Sequence, residues 1–226
     1  MTLIKQTTLL LLLVSMITSC EKGDIKTTPL TSLAIVNAVN GGTAVRNGSN
    51  ATVIANNSYA PTALIAGDNN LYIWPVGDSA NPYFTTSKFT TNDREVYSLF
   101  LCGTPDAVDG ITIKENIPYR TDSTAGIRFI NLAPESQPLS ITLAASPTVN
   151  EVTDLSYKNI TEFKTYAGLY NSEYTFEIRD ATTAAPADPL ATFSLSAAQV
   201  PRFANITLVI RQNGTSVAVF RVNNDR

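Results

Sequence analysis

Side chains able to do chemistry are few in this 226-residue chain, and histidine is absent from it. Without histidine, Ser-His-Asp and Cys-His catalytic groups are excluded, as are the commonest ligand sets for zinc. Paired acids remain possible, because glycoside hydrolysis needs only two carboxyl groups about 5–9 Å apart. Glu173 and Glu177 lie on one face of a predicted strand, but four residues of strand separate them by roughly 13 Å, which is too far for that pairing.

A second acidic pair, Asp106 and Asp109, lies in the sequence TPDAVDG. It loosely resembles a calcium-binding loop, yet it lacks the alternating oxygen ligands of a compact site. A solvated turn is therefore the better interpretation. We predict no metal, no cofactor and no enzymatic activity.

The chain contains two cysteines, Cys20 and Cys102. Cys102 follows the apolar run YSLFL at the end of a predicted strand, with no basic residue beside it in the sequence to favour the thiolate. This position favours a structural role over the alternative, a reactive thiol. If Cys20 is modified, Cys102 has no partner within the chain and no intramolecular disulfide is possible.

Cys20 follows a segment typical of a secretory signal. Lys5 is followed by the apolar run LLLLLVSMI, which is shorter than the roughly 20 residues that a membrane-spanning helix needs. The sequence ITSC, which ends at Cys20, then resembles the lipobox of bacterial lipoproteins. The alternative is an ordinary signal peptide with a chance cysteine.

The lipobox resemblance implies a lipid anchor on Cys20. The thiol would receive a diacylglycerol, the chain would be cut before Cys20, and the new amino terminus would be acylated. Two or three acyl chains hold a protein firmly in a membrane, whereas one gives only marginal binding. Because Glu21 is not the aspartate that favours inner-membrane retention in enteric lipoproteins, we expect the outer membrane, with the periplasmic or cell-surface face left open.

Charge and composition limit the class of partner. The formal net charge is −3, and cleavage before Cys20 would remove Lys5 and make it −4 (15 basic − 19 acidic). Phosphate binding needs a concentrated positive face, which the sequence lacks, so nucleic acid is not an expected partner. Short apolar runs separated by Gly, Pro, Asn and Thr, with no sustained helical period, predict an all-β chain.

Internal repetition predicts two copies of one domain. NNLYIWPVGD, which begins at Asn69, aligns without a gap with NSEYTFEIRD, which begins at Asn171, at an offset of 102 (171 − 69). Upstream, LAIVNAV aligns with IRFINLA at an offset of 94, which equates Asn37 with Asn131. IAG with YAG, and YSLFLCG with ITLVIRQNG, complete four blocks in the same order. Such an order indicates one ancestral domain in tandem.

Tyr72 and Trp74 could form a platform for stacking a sugar, or they could pack in a core. Successive strand residues point to opposite faces, and in the second copy the charged residues between 173 and 179 should be the exposed set. The gapless alignment then places Leu71, Ile73 and Pro75 outward, as an apolar strip that suggests an interface with the second domain. The side chains expected to face inward are Tyr72, Trp74, Val76, Tyr174, Phe176 and Ile178.

Six or seven predicted strands in each copy fit an Ig-like β-sandwich of two packed sheets. We predict a signal peptide at 1–19, a lipidated tether at 20–31, a first sandwich at 32–118, a linker at 119–125 and a second sandwich at 126–226. The polar linker is too short to allow much independent swing. Strands are expected near 33–39, 51–55, 71–76, 83–89, 96–101 and 111–115, then near 127–131, 140–144, 163–167, 174–179, 191–196, 206–211 and 216–222.

The second copy resembles an uncharacterised family of secreted bacterial domains of unknown function. The resemblance lies in INLAP, LSITL, an AG turn into YTFEI, ATFSL and ITLVI, and it covers nearly all of residues 126–226 and, more loosely, 32–118. It implies tandem Ig-like sandwiches in outer-membrane lipoproteins and brings no catalytic or binding residues. The first copy departs from the pattern at NGGTAVRNGSNATVI, where glycine and asparagine interrupt the second strand.

Three function classes remain open. We favour a non-catalytic, lipid-anchored envelope protein that acts as a spacer or protein-interaction module, with another envelope protein as its partner. A surface glycan-binding accessory lipoprotein is the alternative, favoured if Tyr59, Tyr83 and Tyr170 cluster at one loop end. A fimbrial or adhesin subunit is a further alternative, although nothing marks the last strand as removable. DSA and DST also make Ser79 and Ser123 possible O-glycosylation sites, on a motif that chance alone produces about once here.

Overall fold

A computed structural model describes residues 27–48, 52–183 and 188–224. This part of the chain is all-β, with sixteen strands and no helix long and apolar enough to span a membrane. The predicted lipidation site, Cys20, lies outside the described residues, as does the start of the strand predicted at 51–55.

The first half of the chain forms two four-stranded sheets that pack face to face. The inner sheet has the order β4-β1-β7-β8 and the outer sheet the order β3-β2-β5-β6. Within the inner sheet, β1 and β7 are parallel, whereas the other neighbours are antiparallel. The strands are β1 Leu30–Asn37, β2 Val45–Asn47, β3 Val53–Ile54, β4 Ser58–Ile65, β5 Gly67–Pro75, β6 Phe84–Thr91, β7 Val96–Thr104 and β8 Ala107–Lys114.

The second half repeats this arrangement strand for strand. Its inner sheet has the order β12-β9-β15-β16 and its outer sheet the order β11-β10-β13-β14, so each strand takes the place of the strand eight earlier. The predicted fold class, all-β with two tandem β-sandwiches, is confirmed. The strands are β9 Thr124–Leu132, β10 Leu139–Leu143, β11 Ser146–Leu155, β12 Lys164–Ala167, β13 Tyr174–Asp180, β14 Ala191–Leu195, β15 Ala204–Asn213 and β16 Ser216–Asn224.

Asn37 and Asn131 occupy the same position in the two halves, as their sequence alignment predicts. Both are fully buried near the end of the first strand, and both side-chain amides donate to backbone carbonyl groups. The backbone carbonyl oxygens of Asn37 and Asn131 each accept a 2.7 Å hydrogen bond, from the backbone amides of Asn57 and Lys158. These two donors have positive φ angles of 61° and 67°. In each half, a buried asparagine therefore stabilises the same turn by hydrogen bonds to backbone groups.

Three hydrophobic cores hold the chain together. One lies inside each sandwich, and a third lies between the two inner sheets. The alternation of strand side chains divides each central strand between two cores: in β7, Leu99 faces its own sandwich and Phe100 faces the shared core. The buried residues of the shared core are Val36, Ala38, Phe100, Cys102, Ile130, Leu132, Val209 and Val222.

Three strands were not predicted, namely β2, β4 and β11. The strands β4 and β11 lie at sheet edges, and both carry proline, in the sequences SYAPTALI and SPTVNEVTDL. Proline is tolerated in an edge strand because only one side of the strand must donate hydrogen bonds. A prediction that treats every proline as a strand breaker therefore misses such strands. The strand β2 has only three residues and lies in the glycine-rich stretch.

The predicted orientation of Tyr72 and Trp74 is wrong. Leu71 and Ile73 are fully buried in the core of the first sandwich, and Tyr72 and Trp74 lie half-buried on the outer face of the outer sheet. Val76, also predicted to face inward, is exposed. The apolar strip once assigned to a domain interface is therefore core.

The error is a shift in register by an odd number of residues. In the second half the prediction holds, since Phe176 and Ile178 are fully buried and Tyr174 packs against them. The Val76 amide donates to the Ala44 carbonyl as the Ala181 amide donates to the Pro138 carbonyl, so Pro75 and Asp180, the strand partners of Val45 and Leu139, are equivalent. The true offset is therefore 105 (180 − 75), an odd difference from 102 that equates inward-facing Ile73 with inward-facing Ile178. A slip of one residue exchanges the two faces of a strand.

Neighbouring substitutions on β5 can test this assignment. Ile73→Ala should lower the free energy of unfolding by about 2–5 kcal/mol, because it opens a cavity in a packed core. Trp74→Ala should cost less than about 2 kcal/mol, because only part of the indole leaves a packed surface. Urea unfolding of both variants gives the comparison. A larger loss for Trp74→Ala than for Ile73→Ala would contradict the outward assignment.

Candidate functional site

The acidic residues singled out in the sequence do not come together. Glu177 pairs with Arg179 at 2.6 Å, and this contact keeps Arg179 buried although it was expected in the exposed set. Asp106 lies in the exposed turn between β7 and β8, and Asp109 pairs with Lys158 at 2.7 Å. Among residues 27–48, 52–183 and 188–224, no group of three His, Cys, Asp or Glu side chains is placed to hold a metal.

Cys102 lies inside the shared core. Its side chain is fully buried, and the Tyr157 hydroxyl of the second half lies 3.6 Å from its sulfur atom. Burial raises the pKa of the Cys102 thiol, because the thiolate would lose its solvation. The contact joins the two halves and gives Cys102 a packing role.

A buried ion pair crosses the same interface. The Arg128 guanidinium lies 2.6 Å from the Glu115 carboxylate, and the two side chains are only 6% and 0% exposed. Arg128 also donates to the Thr207 hydroxyl at 2.8 Å and lies over the Phe163 ring, 4.3 Å from its centroid. The second oxygen of Glu115 has no hydrogen-bond partner among the described residues, so this carboxylate depends on Arg128 for its compensation.

The segment between the sandwiches is bound to the second half. Arg120 donates to the Asn205 side chain at 2.7 Å, and Asn205 donates in turn to the Pro118 carbonyl at 2.9 Å. Gly126 makes room for this contact, because a Cβ there would lie 2.0 Å from the Asn205 side-chain oxygen. Strand β9 begins at Thr124, inside the segment predicted as linker. These contacts hold the segment against the second half.

Equivalent ends of the two sandwiches lie on the same side of the molecule. The Glu115 amide donates to the Val96 carbonyl at the start of β7, and the Glu115 side chain contacts Arg128 in the middle of β9. Cys102, near the end of β7, contacts Tyr157 beside the end of β9. We name the side where β1 and β9 begin the tether end, because the described chain enters there. The opposite side is the distal end.

Hydrogen bonds around the Glu95 carboxylate and backbone fix the chain where it enters the tether end. Glu95 accepts hydrogen bonds from the Tyr97 hydroxyl and the Lys114 ammonium, each at 2.5 Å, and from Asn92. The Glu95 backbone carbonyl accepts hydrogen bonds from the Ser32 amide and the Thr31 hydroxyl, both in β1. The Lys114 and Tyr97 hydrogen bonds lower the pKa of Glu95 to about 2. The bond to Glu95 raises the pKa of Tyr97 to about 12.

The outer face of the first sandwich carries the two rings that were expected inside. The Tyr72 and Trp74 ring centroids are 5.6 Å apart with an angle of 49° between the ring planes. Arg46 is the strand partner of Trp74, and Thr85 that of Tyr72, so both lie on this face. The Tyr72 hydroxyl donates to the carbonyl of Ser79, an exposed residue.

The other candidate sugar-contacting tyrosines do not cluster. Tyr59 packs against the shared core, Tyr83 packs against the core of the first sandwich, and Tyr170 is exposed on a loop of the second half. Ser123, the second possible O-glycosylation site, is partly exposed just before β9.

Comparisons with known proteins give little. No family model matches the chain, and no curated protein matches it. Among solved structures, the C-terminal domain of AlgF from P. aeruginosa matches 39% of this chain and 100% of that chain, with 14% sequence identity and a TM-score of 0.31. A similarity at this level carries no conclusion about function.

Removal of one member of the buried ion pair should be costly. Arg128→Met should lower the free energy of unfolding by about 3–5 kcal/mol, because it leaves the Glu115 carboxylate buried and unpaired. Adding Glu115→Leu should restore most of that loss, since both charges are then gone. Lys158→Met is the control, because its surface ion pair contributes about 0–1 kcal/mol. Urea unfolding would contradict the assignment if Arg128→Met and Lys158→Met lost equally.

Acid should remove the contribution of Glu95. Its folded-state pKa lies below the ordinary value of 4.5, so the carboxylate stabilises the fold above that pH and loses this effect as pH falls towards about 2. Glu95→Gln should therefore be less stable than the parent at pH 7 and equal to it near the bottom of that window. Thermal unfolding across pH 2–7 measures this, with Asp106→Asn as the control. A constant difference across the range would contradict the prediction.

Proposed function

We propose that this protein is a non-catalytic, lipid-anchored protein of the outer membrane whose paired sandwiches form a protein-interaction module. The lipobox resemblance at Cys20 supports the anchor. The observation that carries the rest is the shared core with its buried Arg128–Glu115 pair, which joins two sandwiches into one unit. A joined unit presents loops from both halves in a fixed relation, as a composite binding face requires.

The packing favours an interaction module over a spacer. A spacer gains reach when its domains are joined end to end. Here the inner sheets face each other and equivalent ends coincide, so the pair reaches no further from its tether than one sandwich does. What the pairing adds is width at the distal end.

The distal end is the face we assign to a protein partner. Exposed apolar side chains from both halves lie there, namely Val76 and Leu190. Val76 follows β5, and its amide donates to the Ala44 carbonyl next to β2. Leu190 precedes β14, and its amide donates to the Ile178 carbonyl in β13. Scattered apolar side chains with a polar surround are typical of a transient protein interface.

Glycan binding is a second candidate, and one observation favours it. Tyr72 and Trp74 face outward beside Arg46, on a sheet face whose aromatic rings the second half does not share, since its equivalent positions carry Glu177 and Arg179. Aromatic faces with a nearby hydrogen-bond donor suit the stacking of a sugar ring. The scattered positions of Tyr59, Tyr83 and Tyr170 weigh against a larger site.

A fimbrial role has less support. A donated strand must leave one subunit and pair with another. In this chain β16 pairs with β15 over nine residues and places Val222 in the shared core. Its release would open both the second sandwich and the interface.

Two measurements test the proposed function. Intact mass of the mature protein should show cleavage before Cys20 and two or three acyl chains, and Cys20→Ser should release the protein from the membrane fraction. The same mass reports any sugar on Ser79 or Ser123. A mature mass without acyl chains would refute the anchor.

Photo-crosslinking in cells tests the partner face. A photoreactive amino acid at Val76 or Leu190 should capture one specific envelope protein, and the same group at Val149, exposed on the edge strand β11, serves as the matched control. Capture from Val149 alone would place the interface elsewhere. Binding of a glycan array that is lost in Trp74→Ala, with no protein captured, would favour the second candidate.

A further inference from the structure

Exposed apolar side chains concentrate at the tether end. Of the six most exposed large hydrophobic side chains in the described residues, five lie there, and Val149 on β11 is the sixth. Their position follows from the strand ends: Ile65 pairs with Leu30 at the start of β1, and Ala167, before Leu169, pairs with Thr124 at the start of β9. The five are Tyr170 at 80%, Tyr119 at 75%, Ile65 at 62%, Phe203 at 57% and Leu169 at 56%.

Three of these side chains come from two adjacent loops of the second half. Leu169 and Tyr170 lie in the loop 168–173, and Phe203 lies in the loop before β15. The loops touch at Gly168, where a Cβ would lie 3.3 Å from a side-chain carbon of Arg202 and 2.0 Å from the Ser123 carbonyl oxygen. Leu169, Tyr170 and Phe203 are therefore exposed on adjacent loops, and we name these three side chains the apolar tip.

Phe203 holds a backbone conformation that aromatic residues rarely adopt. Its φ angle is 56°, in the left-handed region where glycine and asparagine are usual. Its amide donates to the Thr124 carbonyl at 3.1 Å, which fixes the turn, while its side chain remains exposed. A bulky residue that is strained and yet buries little does not serve stability, and such positions cluster at functional sites.

The first half has a cation at the equivalent position. Arg94 has a φ angle of 61°, and its amide donates to the Leu30 carbonyl at 2.8 Å, as Phe203 does to Thr124. Its side chain is 91% exposed and lies 3.6 Å from Asp93. The tether end thus presents a guanidinium from one half and an aromatic patch from the other, with exposed Arg202 beside the patch.

The length of the tether limits how far this end can be from the membrane. Cys20 precedes Leu30, the first residue of β1, by 10 residues (30 − 20). Such a segment spans at most about 35 Å even when fully extended. Any surface at the tether end is therefore held at high local concentration against the lipid, so that even weak contacts are populated.

We propose that the apolar tip inserts into the interfacial layer of the same membrane that holds the acyl chains of Cys20. This inference rests on the proposed lipid anchor and adds a second, non-covalent contact to it. Leu169, Tyr170 and Phe203 enter the boundary between headgroups and acyl chains, where aromatic side chains are enriched. Arg94 and Arg202 meet the lipid phosphates. The two contacts set the orientation of the module and direct its distal end away from the lipid.

Tryptophan fluorescence in vesicles tests this insertion. The lone Trp74 is first replaced in the full-length, lipidated protein, and Trp74→Phe is combined with Tyr170→Trp. The protein is reconstituted into phosphatidylethanolamine–phosphatidylglycerol vesicles that contain brominated phosphatidylcholine. We expect the tryptophan at position 170 to be quenched several-fold more than one placed by Leu190→Trp at the distal end. The parent protein, with Trp74 on the outer sheet, is a second unquenched control.

The outcomes separate this inference from the anchor. Acyl chains on Cys20 by mass, with equal quenching at positions 170 and 190, would overturn the insertion and leave the anchor standing. A mature protein without acyl chains would overturn both. Strong quenching at position 170 alone supports the insertion.

Phe203→Asn distinguishes membrane contact from a structural role. Asparagine accepts a positive φ angle more readily than phenylalanine, so the thermal unfolding midpoint should stay the same or rise. Quenching of the tryptophan at position 170 should nevertheless fall, because the patch loses one of its two rings. A fall in the unfolding midpoint with unchanged quenching would show that Phe203 supports the fold and would count against the proposal.

Discussion

The shared core between the two inner sheets is the constraint on which the rest of this structure depends. Val36 and Phe100 on one sheet, and Ile130 and Val209 on the other, lie on faces that a lone sandwich would expose to water. Small domains bury only about two thirds of their unfolded surface, so the contact adds stability that each half lacks alone. An uncovered patch of this size would also invite association with other proteins. The halves therefore form one unit, and each covers the other.

The polar contacts at the edge of this core select one alignment of the sheets. Apolar side chains tolerate sliding, since their attraction has no direction. The Arg128–Glu115 pair is different, because a slip of the interface would leave a buried charge without a partner. Arg120 and Gly126 add a second directional contact where the chain crosses between the halves. These polar contacts contribute more to the relative orientation of the two sandwiches than to net stability. The fixed orientation places the equivalent ends of the sandwiches together.

The sequence allowed the fold class, the duplication and the Asn37–Asn131 equivalence to be predicted, because buried apolar runs and a buried amide leave strong patterns. It did not reveal the faces of β5: a gapless alignment hid a register shift by an odd number of residues, and apolar residues on both faces of the strand offered no charged residue to correct it. The shared core had a signal that was missed. LAIVNAV and IRFINLA are continuous apolar runs, which are typical of strands buried on both faces. Arg128, a charge inside such a run, marked the ion pair.

Divergence between the copies separates structure from function. The buried amides and the strand order are the same in both halves, because the fold requires them. Two positions outside the cores differ in kind: outward Trp74 in the first half has Arg179 as its counterpart, and Arg94 at the tether end has Phe203. Neither exchange improves packing, and Phe203 adds backbone strain without burial. After a duplication, a substitution that costs stability persists where the surface it changes has been put to use.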